Sequence, residues 1–178
     1  MGRQIVLLRG INLGPRNRIA MPELRELLGQ AGYREVRTYV QSGNVVLESD
    51  ESPAALETSV ERLIAEGFDL QISVIARTRD ELADVVERNP LADVATDPKR
   101  YQVSFLSEAL PAERVEELNA VAAKAERLIA SGRELYAWHP NGVARSKLWA
   151  KLAGTGLGVK ATARNWKTVE TLLEMASQ

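Results

Sequence analysis

The chain has 178 residues, of which 45% are hydrophobic and 26% charged, and its net charge is −1. This composition is that of an ordinary globular protein, and the length suits one domain or two small, closely packed ones. The absence of cysteine excludes disulfides, thiol nucleophiles and zinc–thiolate sites. No apolar run approaches the roughly 20 residues that span a bilayer, and residues 4–8 are too short for a signal peptide. A cytoplasmic location is therefore the default expectation.

Positive and negative charges are segregated along the chain. Residues 1–18 contain four arginines and no acidic residue, whereas residues 48–97 contain 13 acidic and 4 basic residues. Residues 140–169 contain six basic residues and again no acidic one. We interpret the two basic ends as parts of one positive surface that attracts an anionic ligand. The alternative is an ordinary solvated surface, because clustering in sequence does not guarantee clustering in space.

The first half of the chain predicts a βαββαβ order. Leucines at helical spacing before Ala31 predict a first helix that Gly32 stops, and Ser42-Gly43-Asn44 between two β-rich runs predicts a hairpin. Ser52-Pro53 is typical of an N-cap and first helical position, and Gly67 is expected to end that second helix. The predicted strands cover residues 5–10, 36–41, 45–48 and 72–76. We therefore predict an α+β fold with a ferredoxin-like N-terminal part.

The second half predicts another small α+β part, packed with the first. Thr78 and Glu81 have the spacing of a capping box, and Ser146 is expected to cap a short helix that ends at Gly154. Strands are predicted over residues 101–106, 127–130 and 134–138, a helix from Pro111, and a last amphipathic helix with Val169, Leu172, Leu173 and Ala176 on its apolar face. The halves show no sequence repeat. The predicted subdomains are residues 1–77 and 78–178.

His139 is the only histidine of the chain. A general base or a metal ligand is conceivable, but its place at a strand end before a Pro-Asn-Gly turn, without a cysteine or histidine partner, favours a structural role. Residues 154–158 are glycine-rich but follow a predicted helix, whereas a dinucleotide fingerprint opens one. No P-loop, nucleophile elbow or Asp-x-Asp loop is present. The sequence therefore predicts no cofactor and no metal.

Polar residues near both ends of the chain are the candidate ligand-binding residues. The planar fork of Arg164 suits phosphate or carboxylate, and the pattern places it with Asn165 at the start of the last helix, where backbone N–H groups favour an anion. The alternatives are that Asn165 is an N-cap, that Trp166 belongs to the core, and that polar residues after strands bond the backbone. The candidates are Arg9, Asn12, Asn17, Ser42, Asn44, Lys147, Arg164 and Asn165.

Three blocks of the chain resemble a bacterial family known as domain of unknown function 1697. They are residues 7–12 with 21–28, residues 37–48, and residues 146–148 with 162–169. The resemblance implies an α+β fold with a ferredoxin-like N-terminal part and a second small α+β part, and it implies no activity. The family's loop after the position of Asn12 commonly runs Gly-Gly-Lys-Asn, where this chain has Gly14-Pro15-Arg16-Asn17. The family has similar polar residues at the positions of Arg9, Asn12, Ser42, Asn44, Arg164 and Asn165.

Three functions follow as hypotheses. The first is a cytoplasmic protein that binds a small anionic, phosphate-bearing ligand through the candidate residues at both chain ends. The second is an enzyme without histidine or cysteine chemistry, with Glu23, Glu26 and Lys147 as the nearest candidates; a buried carboxylate of shifted pKa in a cleft would indicate it. The third is a module for single-stranded nucleic acid, which is disfavoured because aromatic content is only 5% and Tyr39 is a lone candidate for stacking. No membrane partner is expected.

Overall fold

The computed structural model describes residues 2–178, which form eight strands and six helices. The first seven elements are β1 (Gly2–Leu8), α1 (Met21–Gln30), β2 (Arg34–Tyr39), β3 (Asn44–Ser49), α2 (Pro53–Phe68), β4 (Val74–Thr78) and α3 (Arg79–Arg88). The remaining seven are β5 (Tyr101–Leu106), α4 (Ala112–Val121), β6 (Arg127–Ser131), β7 (Glu134–Trp138), α5 (Lys147–Ala153), β8 (Ala161–Asn165) and α6 (Trp166–Ala176). None of the helices within residues 2–178 combines the length and apolar character needed to cross a bilayer.

The chain divides into two compact units. The first unit holds the residues up to Asp84 together with Thr171–Gln178, and the second unit holds Val85–Glu170. The division therefore passes through α3 and through α6. The first unit is discontinuous, whereas the predicted subdomains were continuous stretches that met at residue 77. Hydrogen bonds from Arg3 and Arg37 to the carbonyl oxygen of Met175 attach the end of the chain to the first unit.

The first unit contains the ferredoxin-like arrangement that the sequence predicts. Its four antiparallel strands lie in the order β2-β3-β1-β4. Helices α1 and α2 bury their apolar faces together with alternate residues of the strands, as expected for side chains that alternate across a sheet. The core includes Val6, Leu8, Val45, Leu47, Val74, Leu24, Leu28, Leu56, Val60 and Ile64.

The second unit has the same topology as the first, which the sequence did not indicate. Its strands lie in the order β6-β7-β5-β8, so that β5 to β8 take the places of β1 to β4. The registers also correspond. Gln4 on β1 lies opposite Thr78 on β4, and Gln102 on β5 lies opposite Asn165 on β8. The chain is therefore a tandem pair of βαββαβ units.

Strand β8 is where the structure differs most from the prediction. Arg164-Asn165-Trp166 was expected to start the last helix, but Ala161–Asn165 is a strand paired with β5, and α6 begins at Trp166. The run is short and polar, so its pairing partner rather than its own pattern makes it a strand.

Helix ends test the capping signals directly. The capping box is confirmed, because Thr78 N–H donates to Glu81 Oε2 at 2.8 Å and Glu81 N–H donates to Thr78 Oγ1 at 3.0 Å. Ser52 and Ser146 cap α2 and α5 as predicted, each accepting from a backbone N–H three residues on. The prediction that Gly67 ends α2 is wrong. The helix continues to Phe68, and Asp69 at φ +55° takes the left-handed position that usually falls to glycine.

Candidate functional site

A cavity of about 790 Å³ opens in the second unit, between the turn that joins α4 to β6 and the loop that joins β7 to α5. One wall is largely apolar and the other is polar and basic. The residues on which its chemistry depends are Val121, Ala122, Glu126, Arg145, Ser146 and Lys147. Such a cavity, with a few convergent polar groups, is the usual form of a small-molecule site.

Short local signals build both walls. After α4 the backbone leaves the helix at Ala122, and Glu126 closes the turn: its N–H donates to Ala123 O and its Oε1 accepts from Ala123 N–H, each at 2.9 Å. In the opposite loop, Gly142 at φ +82° donates its N–H to His139 O, and Ser146 then caps α5. Hydrogen bonds within each segment, from the backbone and from the side chains of Glu126 and Ser146, therefore hold both walls.

A buried network lies behind the cavity and centres on Glu126, which is 8% exposed. Glu126 Oε2 lies 2.5 Å from His139 Nδ1 and accepts from Ser146 Oγ at 2.6 Å. Burial raises the pKa of Glu126, but hydrogen bonds from Ser146, from the Ala123 N–H and from His139 outweigh it, so the pKa lies below its ordinary value. Glu126 is therefore a carboxylate at neutral pH, and the Nδ1 of His139 carries the proton between them.

The arrangement of this network excludes a serine–histidine–carboxylate triad. Ser146 Oγ is 3.4 Å from His139 Nδ1, the same nitrogen that meets Glu126, whereas a triad needs the hydroxyl at the other ring nitrogen. His139 Nε2 is buried and has no hydrogen-bond partner among residues 2–178, and the ring packs edge-on against Trp149 with 5.7 Å between the ring centroids. The geometry thus orients the imidazole without activating Ser146 as a nucleophile.

The basic wall carries two cations without ion-pair partners. Arg145 and Lys147 are exposed, flank Ser146 in sequence, and neither has an acidic partner among residues 2–178. No acidic residue occurs anywhere in residues 140–169. The cavity therefore offers an anion two cationic groups, and the buried carboxylate of Glu126 lines the same cavity through its hydrogen bond with Ser146.

Five of the predicted ligand-binding residues lie in the first unit, and most of their polar groups stabilise loops. Asn12, at φ +56°, donates from Nδ2 to Ile19 O at 2.8 Å and to Gln41 O at 2.7 Å. Asn17 donates to Gly10 O, and buried Asn44 donates to Tyr39 O. Ser42 is exposed in the turn between β2 and β3, and Arg9 is half-buried after β1.

The other three predicted residues lie in the second unit, and only Lys147 lines the cavity. Arg164 is buried in β8, where it donates to Thr162 Oγ1 and Ala163 O, and burial lowers its pKa to about 10. Asn165 is the N-cap of α6, since its Oδ1 accepts from Thr168 N–H at 2.9 Å. Trp166 is buried and stacks on Tyr101 at 5.0 Å, as the core interpretation predicted.

Glu126 and Arg145 were not among the residues predicted from the sequence, although one signal could have identified Glu126. In the hairpin of β6 and β7, Arg127 pairs with Trp138. Extending that antiparallel register by one residue places Glu126 opposite His139. Residues 2–178 contain no cluster of three or more acidic or histidine side chains suited to a metal ion.

Comparisons with known proteins identify relatives without an assigned activity. Residues 1–136 match the family model described as "Protein of unknown function (DUF1697)". A solved structure described as a conserved bacterial protein, SP0830 from Streptococcus pneumoniae, is similar with a TM-score of 0.78 and 25% sequence identity, over 98% of each chain. No curated protein matches.

Proposed function

We propose that this chain, which belongs to the DUF1697 family of proteins of unknown function, binds a small anionic, phosphate-bearing ligand in the cavity of the second unit. The observation that carries the proposal is the pair of unpartnered cations, Arg145 and Lys147, on one wall of that cavity. A cytoplasmic location belongs to the same proposal, and cell fractionation tests it.

The two cations suit an anion in different ways. The guanidinium of Arg145 presents a planar fork for two phosphate oxygens, and the ammonium of Lys147 adds a mobile point charge. Val121 and Ala122 give the opposite wall apolar surface for the uncharged part of a ligand. The volume of about 790 Å³ lies within the range usual for small-molecule sites.

Glu126 sets the polarity of the ligand. Its carboxylate is charged at neutral pH, lines the same cavity as the cations, and accepts a hydrogen bond from Ser146, the residue between them in sequence. It repels a second anionic group and favours a hydrogen-bond donor. We therefore expect a ligand with one anionic end and a neutral or hydroxylated body.

Thermal-shift and calorimetric titration with inorganic phosphate, sugar phosphates and nucleoside monophosphates test the proposal. A ligand at 100 times its dissociation constant adds about 2.7 kcal/mol to the free energy of unfolding. The double variant Arg145→Ala/Lys147→Ala should lose that shift, whereas Lys99→Ala, an exposed cation of the same unit that does not line the cavity, should keep it. An equal shift in both variants would place any anion binding elsewhere.

A second candidate is an enzyme that uses Glu126 as an acid–base group. The supporting observation is a buried carboxylate that lines a cavity beside a hydroxyl and an imidazole. Because its pKa is lowered, the carboxylate is charged and would accept a proton as a base rather than donate one as an acid. Hydrolysis of p-nitrophenyl phosphate by the wild-type protein and by Glu126→Gln distinguishes this candidate from binding alone. Turnover that is lost in the glutamine variant would favour catalysis, and binding without turnover would favour the first proposal.

A further inference from the structure

Two adjacent loops of the first unit, joined by a hydrogen bond from Asn12 Nδ2 to Gln41 O at 2.7 Å, each expose an aliphatic side chain. They are the loop of residues 9–20 after β1 and the turn of residues 40–43 between β2 and β3, which we call the loop face. Leu13 is 85% exposed in the first and Val40 is 51% exposed in the second. Exposed aliphatic residues on adjacent segments are typical of an interaction surface when charged residues surround them.

The side chain of Asn12 joins the two segments of the loop face. Asn12 bonds both segments, because its Nδ2 reaches Gln41 O and Ile19 O while its Oδ1 accepts from Ile19 N–H at 2.9 Å. Val40 has φ +51°, a conformation that a β-branched residue avoids. A surface that keeps an exposed valine in a strained conformation presents it in one fixed position.

All charged residues of the loop face are arginines. Residues 9–20 contain three arginines, no lysine and no acidic residue, and residues 40–43 contain no charged residue. Arg16 and Arg18 are exposed, and neither has an ion-pair partner among the described residues. Protein interfaces are enriched in arginine and depleted of lysine and acidic residues, which is the composition found here.

We propose that the loop face docks a second protein, through an acidic segment that carries an aliphatic side chain. Arg16 and Arg18 would pair with its carboxylates, and Leu13 and Val40 would pack against the aliphatic group. Single-stranded nucleic acid is disfavoured because the face has no exposed aromatic ring on which bases could stack. An anionic membrane is disfavoured because recognition of such a surface needs a cluster of about 4–8 cations.

Fluorescence anisotropy with the full chain and a labelled peptide tests the inference. The probe is a ten-residue peptide of glutamate with one central leucine, compared with the same peptide carrying serine in place of leucine. We expect saturable binding that becomes about tenfold weaker for each of Arg16→Ala and Arg18→Ala, and weaker again with Leu13→Ser or the serine peptide. Arg62→Ala is the matched control, since Arg62 is an exposed arginine of the same unit on α2.

Two results would overturn the inference. One is peptide binding that is absent or that is equal in Arg16→Ala, Arg18→Ala and the control. The other is binding of a labelled oligouridine or of phosphatidylserine vesicles in preference to the peptide. The loop-face variants lie outside the cavity of the second unit, so a failure here is distinguishable from a failure of the proposed ligand site.

Discussion

The buried carboxylate of Glu126 makes three hydrogen bonds, and these connect the two segments that line the cavity. Its Oε1 closes the turn after α4, and its Oε2 holds both Ser146 and His139. Each hydrogen bond stabilises the charged form of Glu126, so the pKa of Glu126 is lowered although burial alone would raise it. The same residue is therefore a stability element and a charge in the cavity.

Glu126→Gln should destabilise the protein by about 1–3 kcal/mol at pH 7, because an amide oxygen cannot replace a carboxylate that accepts three hydrogen bonds. The folded-state pKa of Glu126 is lowered, so its stabilisation is present above the unfolded pKa of about 4.3 and is lost as pH falls through the folded value. Urea unfolding from pH 7 to pH 3 should show the variant and wild type converging at acid pH.

Exposed Glu116 on α4 provides the control for that series. Glu116→Gln should follow the wild-type curve at all pH values. A constant difference between Glu126→Gln and wild type down to pH 3 would mean that folding does not lower the pKa of Glu126.

We expect replacement by alanine to change the free energy of unfolding in opposite directions at two glycines of the first unit. A Cβ at Gly43 would lie 2.6 Å from Leu8 Cβ, and the residue has φ +79°. Gly43→Ala should therefore cost about 2–5 kcal/mol through strain and overpacking. Gly29 lies in α1 with nothing within 4 Å of a new Cβ, so Gly29→Ala should add about 0.5–1 kcal/mol. Urea unfolding measures both, and a loss of similar size in the two variants would contradict the steric argument.

At the scale of elements, the corresponding strands β4 and β8 end in the same way. Each carries a buried arginine, Arg77 or Arg164, one residue before a side chain that caps the following helix. Thr78 caps α3 and Asn165 caps α6, both by accepting from a backbone N–H three residues on. The junction is thus a strand that turns directly into a helix, and the cap marks the turn.

Removing either cap should destabilise the protein by a similar amount. Thr78→Ala and Asn165→Ala should each cost about 1 kcal/mol, the usual penalty for an uncapped helix start. Thr168→Ala is the comparison for the second, since it leaves the backbone N–H that Asn165 accepts in place. Thermal unfolding of the three variants tests this. A neutral Asn165→Ala would return Asn165 to the ligand-binding candidates.

Strong local signals were enough to predict most elements, and the errors have identifiable causes. The order βαββαβ followed from apolar runs, helical spacing and capping residues. Strand β8 escaped prediction because Ala, Thr, Arg and Asn do not form a strand pattern without the pairing to β5. Arg164 was expected to meet a ligand because a basic residue near a helix start suits an anion. In the structure Arg164 lies in strand β8 and its side chain is buried. The pairing of β8 with β5 determines this orientation, and the local sequence does not reveal that pairing.

At the scale of the molecule, two units with one topology arise from sequences without a visible repeat. Corresponding strands keep the apolar character and size of their inward residues rather than their identity, which is all that a shared core requires. Ile5 and Val103, at corresponding positions of β1 and β5, illustrate this, since both are buried. Leu8 and Leu106 also correspond and are identical, and each donates its N–H to the turn of a hairpin in its own unit, at Gly43 O and Arg133 O. Buried polar residues also recur, with Asn44 and Glu134 at the first position of β3 and β7.

Residues Thr171–Gln178 belong to the first unit. Removing them should therefore destabilise strands that lie more than a hundred residues earlier in the sequence. Arg3 and Arg37 both donate to Met175 O, Arg37 also donates to Gln178 Oε1 at 2.9 Å, and Leu172 and Ala176 are buried. Truncation after Glu170 should therefore speed hydrogen exchange of β1 and β2 by about 10- to 100-fold, through the lost apolar burial and hydrogen bonds. Removal of Gln178 alone, which deletes one exposed contact, should change exchange little. Unchanged exchange of β1 and β2 in the longer truncation would mean that the C-terminal segment does not stabilise the first unit.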